Sequence, residues 1–448
     1  MKKTPSRLPK KTPPRLPGFP VIGNLIAFAK DRHALLRQGL HRFGPVFSFR
    51  LGPKPVAVLL GAEYHQIFFN ETDKTLSIEK PYENLAALFG KVAFLAPPEA
   101  YQEQRPILHA PFRPEKMQAY AGIMQAEVQK WIDSLLKEGE MEITAEMGRL
   151  VQTIAGNALM GEDFQNRMGR EFWDLYAALG KTLSLVTPPR WPLPKNIRRD
   201  RAKRRMQDML RPVIAARRAH PEGHEDFLQD FVNTNCKSGV PADDETIVGL
   251  IRALMFASHE TTAGQSAWTL IELLRHPEYL AEVKAEINTH LPPGSAVDGH
   301  RLRGLTHVYW AVREIERLHP SADILLRLAE QDVDIGEYRI PKGWLVMVSP
   351  AVAHVLPDAF TDASRFDPLR FGPGREEDKR HPYSMIGFGG GRHKCAGMSF
   401  ANNEMMIIAA MLFQQLDMIL VTRDPGTYYG LGAGRPEKTF IRYRKKFH

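Results

Sequence analysis

The stretch FGGGRHKCAG, residues 388–397, decides how the chain is interpreted. Its three consecutive glycines permit backbone conformations, including positive φ, that other residues rarely adopt. The apolar, proline-free run at 405–413 predicts a buried helix that begins near the cysteine. A helix N-terminus and the preceding Arg-His-Lys both favour the thiolate form of Cys395 over the thiol. Thiolate is the form in which cysteine binds a metal ion.

Taken alone, one cysteine on a glycine turn is also compatible with an ordinary structural residue. The whole spacing of Phe, Gly-Gly, Arg-His, Cys and Gly, followed by an alanine and a glutamate, resembles the haem-ligating loop of the cytochrome P-450 family. The resemblance implies that Cys395 is the axial ligand of a haem b iron. It also implies that His393 approaches a haem propionate and that Phe388 shields the sulfur.

The composition and length of the chain are compatible with many kinds of globular protein. Hydrophobic residues at 43% and charged residues at 25% are ordinary for a globular protein, and 448 residues alone would predict two or three domains. With only Cys236 and Cys395 present, a disulfide framework is not expected, and a reducing cytoplasm fits. No run approaches the roughly 20 apolar residues that cross a bilayer. The net charge of +9 favours anionic partners without specifying them.

Two basic segments leave alternatives open. Residues 1–14 predict a flexible, proline-rich tail that is either solvated or weakly held by anionic lipid. The proline-rich break at 188–194 precedes seven basic residues between 195 and 205. With Trp191 beside them, these residues indicate either a solvated helix face or a peripheral membrane contact. No nucleic-acid-binding motif is present, so we expect no nucleic-acid partner.

A long helix is predicted from Asp244 to Arg275, a range without proline that has Asp243 or Asp244 as a possible N-cap. At about 1.5 Å per residue it would measure roughly 45 Å. The polar residues within 256–264 are costly inside an apolar helix unless they are paired. They therefore indicate either a functional site or a polar kink.

The segment 256–264 resembles the oxygen-activation motif of the same family. The resemblance implies that Thr261 hydrogen-bonds to dioxygen, that Glu260 relays protons from solvent and that Ala257 packs on the haem face. Ser258 stands where glycine is commoner. Sterol 14α-demethylases, a branch of the family, have histidine immediately before the threonine, whereas this chain has Glu260.

Residues 82–94 also resemble the sterol 14α-demethylase branch. The resemblance implies a substrate pocket lined by Leu88, Phe89, Phe256, Ile324 and Leu325. It implies a set of propionate contacts from Tyr82, Tyr101, Arg105 and Arg327, in which Tyr101 replaces the usual tryptophan. It also implies a structural network of Glu314, Arg317 and Arg370 behind the haem.

The expected fold is the family's, mainly α-helical with a smaller β-rich region, in one domain spanning 15–448. A β-hairpin is predicted from 46–51 and 56–60 around Gly52-Pro53-Lys54-Pro55, and further strands at 324–329 and 344–348. The haem would lie buried between the long central helix and the helix after the cysteine loop.

The expected activity is a cytoplasmic, monomeric monooxygenase that inserts one atom of O2 into an apolar substrate, for which a sterol, triterpenoid or other terpenoid is the leading expectation. Hydroxylation or demethylation would be the reaction. Without a flavin or iron–sulfur domain in the sequence, electrons would come from a separate ferredoxin or flavodoxin-type partner with its NAD(P)H reductase. The alternatives are a peroxide-driven enzyme, an O2-independent isomerase or dehydratase, and a non-enzymatic haem sensor or carrier.

Overall fold

The computed structural model describes residues 10–164, 168–182, 191–429 and 433–446. The chain divides into two compact units, made of residues up to 81, 323–365 and 376–394 in the first and of 82–322, 366–375 and those from 395 onwards in the second. The predicted tail lies outside the described residues for positions 1–9, as does part of the proline-rich break, 188–190. The single domain predicted from residue 15 stays a prediction.

The elements of the described residues are numbered in chain order. The helices are α1 (Leu25–Phe43), α2 (Ala62–Asn70), α3 (Glu83–Phe89), α4 (Pro98–His109), α5 (Met117–Ser134), α6 (Ile143–Asp163), α7 (Gly169–Gly180), α8 (Pro194–Ala219), α9 (Phe227–Asn233), α10 (Asp244–Arg275), α11 (Pro277–His290), α12 (Gly299–Gly304), α13 (Thr306–Leu318), α14 (Pro350–Ala353) and α15 (Met398–Gln415). The strands are β1 (Val46–Leu51), β2 (Lys54–Leu59), β3 (Leu76–Ser77), β4 (Glu138–Glu142), β5 (Leu325–Ala329), β6 (Val333–Ile335), β7 (Tyr338–Ile340), β8 (Leu345–Val348), β9 (Leu416–Leu420), β10 (Thr427–Tyr429), β11 (Gly434–Pro436) and β12 (Phe440–Lys445).

The first unit is built on a sheet of order β1-β2-β8-β5-β3. Its β1–β2 pair confirms the predicted hairpin, in which Val46 pairs with Leu59. The turn is shorter than predicted, because β2 already begins at Lys54 and only Gly52 and Pro53 separate the strands. Strands β5 and β8 confirm the two further strands. The side chains alternate between two apolar clusters, so both faces of the sheet are buried. One cluster contains Val46, Ala57, Val346 and Phe68 of α2; the other contains Phe47, Val56, Met347 and Leu36 of α1.

The second unit is organised around α10, which has the predicted bounds. The carboxylate of Asp243 caps it by accepting a hydrogen bond from Thr246 N at 2.7 Å. Helices α6, α13 and α15 pack against it. Separately, β12 pairs with β4 and β9 in a three-stranded antiparallel sheet. The helical stack buries most of α10, and many of its apolar residues belong to one large core.

The basic run forms α8, and its cations do not all face solvent. Arg198, Arg201 and Arg204 are exposed, whereas Arg199 is buried. Trp191 is 57% exposed just before the helix. Among the described residues no helix is both long enough and apolar enough to cross a membrane.

Candidate active site

The cysteine loop adopts a backbone that requires its glycines. Gly389 and Gly391 have φ of +70° and +62°. A Cβ on Gly390 would lie 2.7 Å from Tyr383 Cε1 and 2.9 Å from Phe69 Cδ2. Phe388 is half-buried at the start of this loop. A side chain at any of the three glycines would therefore strain the turn or collide with its neighbours.

Cys395 follows the glycine turn in the chain, is exposed and forms no disulfide. Helix α15 begins at Met398 with Gly397 at its N-cap, which confirms the predicted helix and places the cysteine two residues before the cap. Arg392 and Lys394 are exposed near it in the sequence. The thiolate form expected for Cys395 stays a prediction.

His393 has an acidic partner that the sequence did not indicate. Its Nε2 lies 2.8 Å from Asp73 Oδ2, and Arg392 Nη1 lies 3.8 Å from the same oxygen. The side chains of both His393 and Asp73 are almost completely buried. The predicted propionate contact of His393 stays a prediction beside this observed pair. No local motif identifies Asp73, because it lies 320 positions away in the chain.

The middle of α10 separates its polar side chains onto two faces. The Thr261 hydroxyl donates to the backbone oxygen of Ala257, one turn earlier. Ala257 is exposed, although most of the helix is buried. Consecutive helix residues point about 100° apart, and Glu260 accordingly lines a different surface from Thr261.

That surface is a cleft of about 520 Å³ with several charged residues in its lining. Its lining includes Glu142, Arg149, His259, Glu260, Tyr428 and Arg435. Arg435 Nη1 of β11 lies 3.9 Å from Glu260 Oε2, and its guanidinium lies 5.3 Å from the centre of the Tyr428 ring. β11 reaches α10 closely, since a Cβ on Gly264 would lie 2.8 Å from Gly434 O. The cleft therefore gives the Glu260 carboxylate contact with solvent and a nearby cation.

His259, the residue between Ser258 and Glu260, also lines the cleft. Its ring packs against Trp173 and Tyr176 at centroid distances of 6.3 and 6.1 Å. Burial lowers the pKa of His259, although the charge of Glu260 opposes the shift. Neutral imidazole is therefore the favoured form at this position.

Two of the predicted substrate residues of the second unit meet directly. The Phe89 and Phe256 rings are 4.9 Å apart between centroids. Leu88 and Phe89 are buried, and Phe256 is half-buried. A Cβ on Gly249 would lie 2.8 Å from Phe89 O, so α3 and α10 approach closely here. Ile324 and Leu325 lie in the first unit, where both are half-buried.

The predicted propionate residues occupy different surroundings. On α4, Tyr101 is 2% exposed, whereas the Arg105 side chain is exposed and forms no hydrogen bond or ion pair with the described residues. Tyr82 is half-buried, with its ring edge-on to Phe94 at 5.7 Å. In the first unit, Arg327 is buried and donates from Nε to Thr72 Oγ1 at 3.0 Å.

The predicted structural network is brought together in the second unit. Glu314 accepts hydrogen bonds from Arg317 Nε and Nη2 at 2.8 and 2.7 Å and from Arg370 Nε at 3.1 Å. Asp367 N adds a fourth at 2.9 Å. Glu314, Arg317 and Arg370 are all fully buried. Leu369, the neighbour of Arg370 in the chain, is 49% exposed.

The donor set of the second unit fits a haem. Cys395 is exposed before a helix N-terminus, and Ala257 is exposed on a helix that is mostly buried. Arg105, whose side chain pairs with no described residue, offers a cation to a carboxylate. Cys395 would supply the iron ligand, Ala257 a flat apolar contact and Arg105 a charged hydrogen bond.

Comparison with known proteins gives consistent matches over the length of the chain. The Cytochrome P450 family profile matches residues 13–441. A sterol 14alpha-demethylase of Mycolicibacterium vanbaalenii is 32% identical over 438 residues, which cover 95% of this chain and 96% of that protein. An obtusifoliol 14-alpha demethylase of Sorghum bicolor is 30% identical over 98% of this chain and 91% of its own length.

Among solved structures, the chain is similar to cyanobacterial CYP120A1 with retinoic acid bound. The TM-score is 0.86 at 26% sequence identity, and the match covers 98% of this chain and all of the other.

Proposed function

This chain belongs to the cytochrome P450 family and is a monooxygenase, and we propose that it oxidises a polycyclic apolar substrate of the sterol or terpenoid class. Hydroxylation or demethylation is the proposed reaction, and O2 is the proposed source of the inserted atom. Electrons come from a separate ferredoxin or flavodoxin-type protein. The family membership supports a haem-thiolate cofactor, for which haem b is proposed.

The proposal depends on one observation, that Thr261 and Glu260 lie on different faces of α10. A haem held by the Cys395 thiolate supplies O2 activation and oxidising power. The Thr261 hydroxyl shares a helix face with Ala257, whereas Glu260 faces the cleft that also contains Arg435. Glu260 therefore exchanges protons with solvent on one side of the helix, and Thr261 holds a proton on the other.

The aromatic pair of Phe89 and Phe256 supports an apolar substrate. Their rings, tilted by 44° to each other, form an apolar surface suited to a ring system or a long hydrocarbon. Sterol 14-demethylases among the relatives favour a sterol. Because the resemblance to sterol 14α-demethylases implies histidine where this chain has Glu260, demethylation is proposed beside hydroxylation rather than in place of it.

Two measurements test the proposal. Reduced holoprotein mixed with carbon monoxide is expected to give the strongly red-shifted absorption band of a sulfur-bound haem, and Cys395→Ser is expected to lose it. With a ferredoxin, its reductase and NADPH, lanosterol or obtusifoliol should then change the haem spin state and be converted to an oxygenated product. A wild-type protein without the band, or with the band but no NADPH consumption on any sterol or terpenoid, would contradict the proposal.

Glu260, the residue before Thr261, allows a test of whether this chain belongs to the sterol 14α-demethylase branch. If the pocket retains the shape of a sterol 14α-demethylase, Glu260→His should gain demethylation of a sterol that the wild type binds. Glu142→His, which alters another carboxylate of the cleft, serves as the control. Demethylation unchanged by Glu260→His would separate this chain from that branch.

A further inference from the structure

Two cations reach the C-terminal end of α3 from different helices. Arg252 of α10 donates from Nη2 to Phe89 O at 3.4 Å. Lys203 of α8 donates from Nζ to Ala87 O at 2.7 Å. Arg252 is 5% exposed and Lys203 is half-buried. The two positive charges lie close enough for Arg252 to influence the ionisation of Lys203.

Neither cation has a carboxylate partner among the described residues. Within the described part of the chain no ion pair of 4.0 Å or less involves Arg252 or Lys203, and Arg252 Nε is buried without a hydrogen bond. The buried Arg217 differs, because it meets Asp163 and Asp226 at 2.9 and 2.7 Å. A buried cation without a counter-ion is costly.

The ionisation of both groups reflects that cost. Burial lowers the pKa of Arg252 to about 10, and the charge of Glu245 offsets the shift only in part. Burial also lowers the pKa of Lys203, and the charge of Arg252 lowers it further. The carbonyl end of a helix carries only about half of an elementary negative charge, which is less than two cations require.

These cations adjoin the apolar surface assigned to the substrate. Arg252 precedes Phe256 by one helix turn, and the Phe256 ring packs on Phe89, the residue whose carbonyl Arg252 contacts. An amphipathic molecule with its hydrocarbon against the two rings would place a polar end near the guanidinium. A guanidinium binds a carboxylate through two parallel hydrogen bonds.

We propose that the substrate of this enzyme carries a carboxylate, which Arg252 binds with help from Lys203. This inference rests on the proposed function, because it assigns the polar end of the same apolar substrate. A terpenoid or fatty carboxylic acid meets both requirements, since its hydrocarbon suits the Phe89–Phe256 surface and its charge neutralises the two cations.

The test compares acids with their methyl esters on the holoprotein. Dehydroabietic acid and palmitic acid are each titrated beside the corresponding methyl ester, by calorimetry and by the haem spin-state change. At least one acid is expected to bind about tenfold or more tightly than its ester, the effect of one charge-assisted contact. Arg252→Gln should remove this preference, and Lys203→Gln should reduce it. Arg204→Gln, an exposed neighbour on α8, should leave it unchanged.

Equal affinity for acid and ester in both pairs, including failure of both acids to bind, would overturn the proposal. Equal weakening of acid and ester by Arg252→Gln would also overturn it, because the arginine would then only anchor α3. If Arg252→Gln does not fold, Lys203→Gln decides by the same comparison. A missing carbon monoxide band counts against the proposed function, whereas equal binding of acid and ester by protein with the band counts against the carboxylate site alone.

Discussion

Glu314→Gln tests the buried network of the second unit. The carboxylate accepts three hydrogen bonds from the guanidinium groups of Arg317 and Arg370 and one from Asp367 N, and the three charged groups are fully buried. The substitution removes the negative charge between two buried cations but keeps one acceptor oxygen. Breaking a buried ion pair costs about 3–5 kcal/mol, and we expect a decrease in the free energy of unfolding of about 3 kcal/mol, near the lower end.

The assay is urea unfolding of the holoprotein, followed by tryptophan fluorescence and by haem absorbance. Helix α13, which carries Glu314, packs against α15, the helix that follows Cys395. We therefore expect the variant to lose haem absorbance at lower urea than the wild type.

Glu171→Gln provides a matched control, because Glu171 pairs with Arg205 through two contacts of 2.7 and 3.2 Å that are exposed to solvent. Solvent screens such a pair, so its loss should change the unfolding midpoint little. Equal shifts for the two variants, or no shift for Glu314→Gln, would refute the assignment of stability to burial.

Three further predictions concern the site and the pH response. Thr261→Ala should raise peroxide release per NADPH consumed, whereas Thr261→Ser should preserve coupling; unchanged coupling in the alanine variant would contradict the proton role. Arg435→Gln removes the cation that lies 3.9 Å from Glu260. It should alter the pH profile and the solvent isotope effect of turnover without changing substrate affinity, and Lys438→Gln in the same cleft is the control. An unchanged pH profile would show that Arg435 does not act on Glu260. Burial lowers the pKa of His65 from 6.5 to about 4 in the folded protein. As the pH falls from 6.5 towards 4, the imidazole therefore becomes protonated mainly in the unfolded state. This difference should decrease the free energy of unfolding by up to about 1.4 kcal/mol per pH unit. Urea titrations of His65→Leu should show a shallower slope over that range, and an equal slope would assign the effect to other groups.

The sequence predicted the helices and strands that depend on residues close together in the chain. The bounds of α10 followed from an aspartate N-cap and a proline beyond its end, and the hairpin followed from two apolar strands around a Gly-Pro turn. The contacts of Asp73, Arg435 and Arg252 were not predicted. Each is a single charged residue whose partner lies far away in the chain, and only the packed fold determines which groups meet. Family resemblance named His393 and Glu260 but gave no indication of these partners.

The order in which segments enter the first unit affects how this chain is made. Strand β2 pairs in parallel with β8, and Val56 aligns with Leu345. On the ribosome, the β1–β2 hairpin emerges on the order of tens of seconds before β8 is synthesised, at typical elongation rates. During that interval β2 has an unpaired edge and the hairpin has two apolar faces, which is the kind of nascent segment that aggregates or binds chaperones. Slower translation before residue 345 should therefore reduce the soluble yield more than slower translation after β8 is complete.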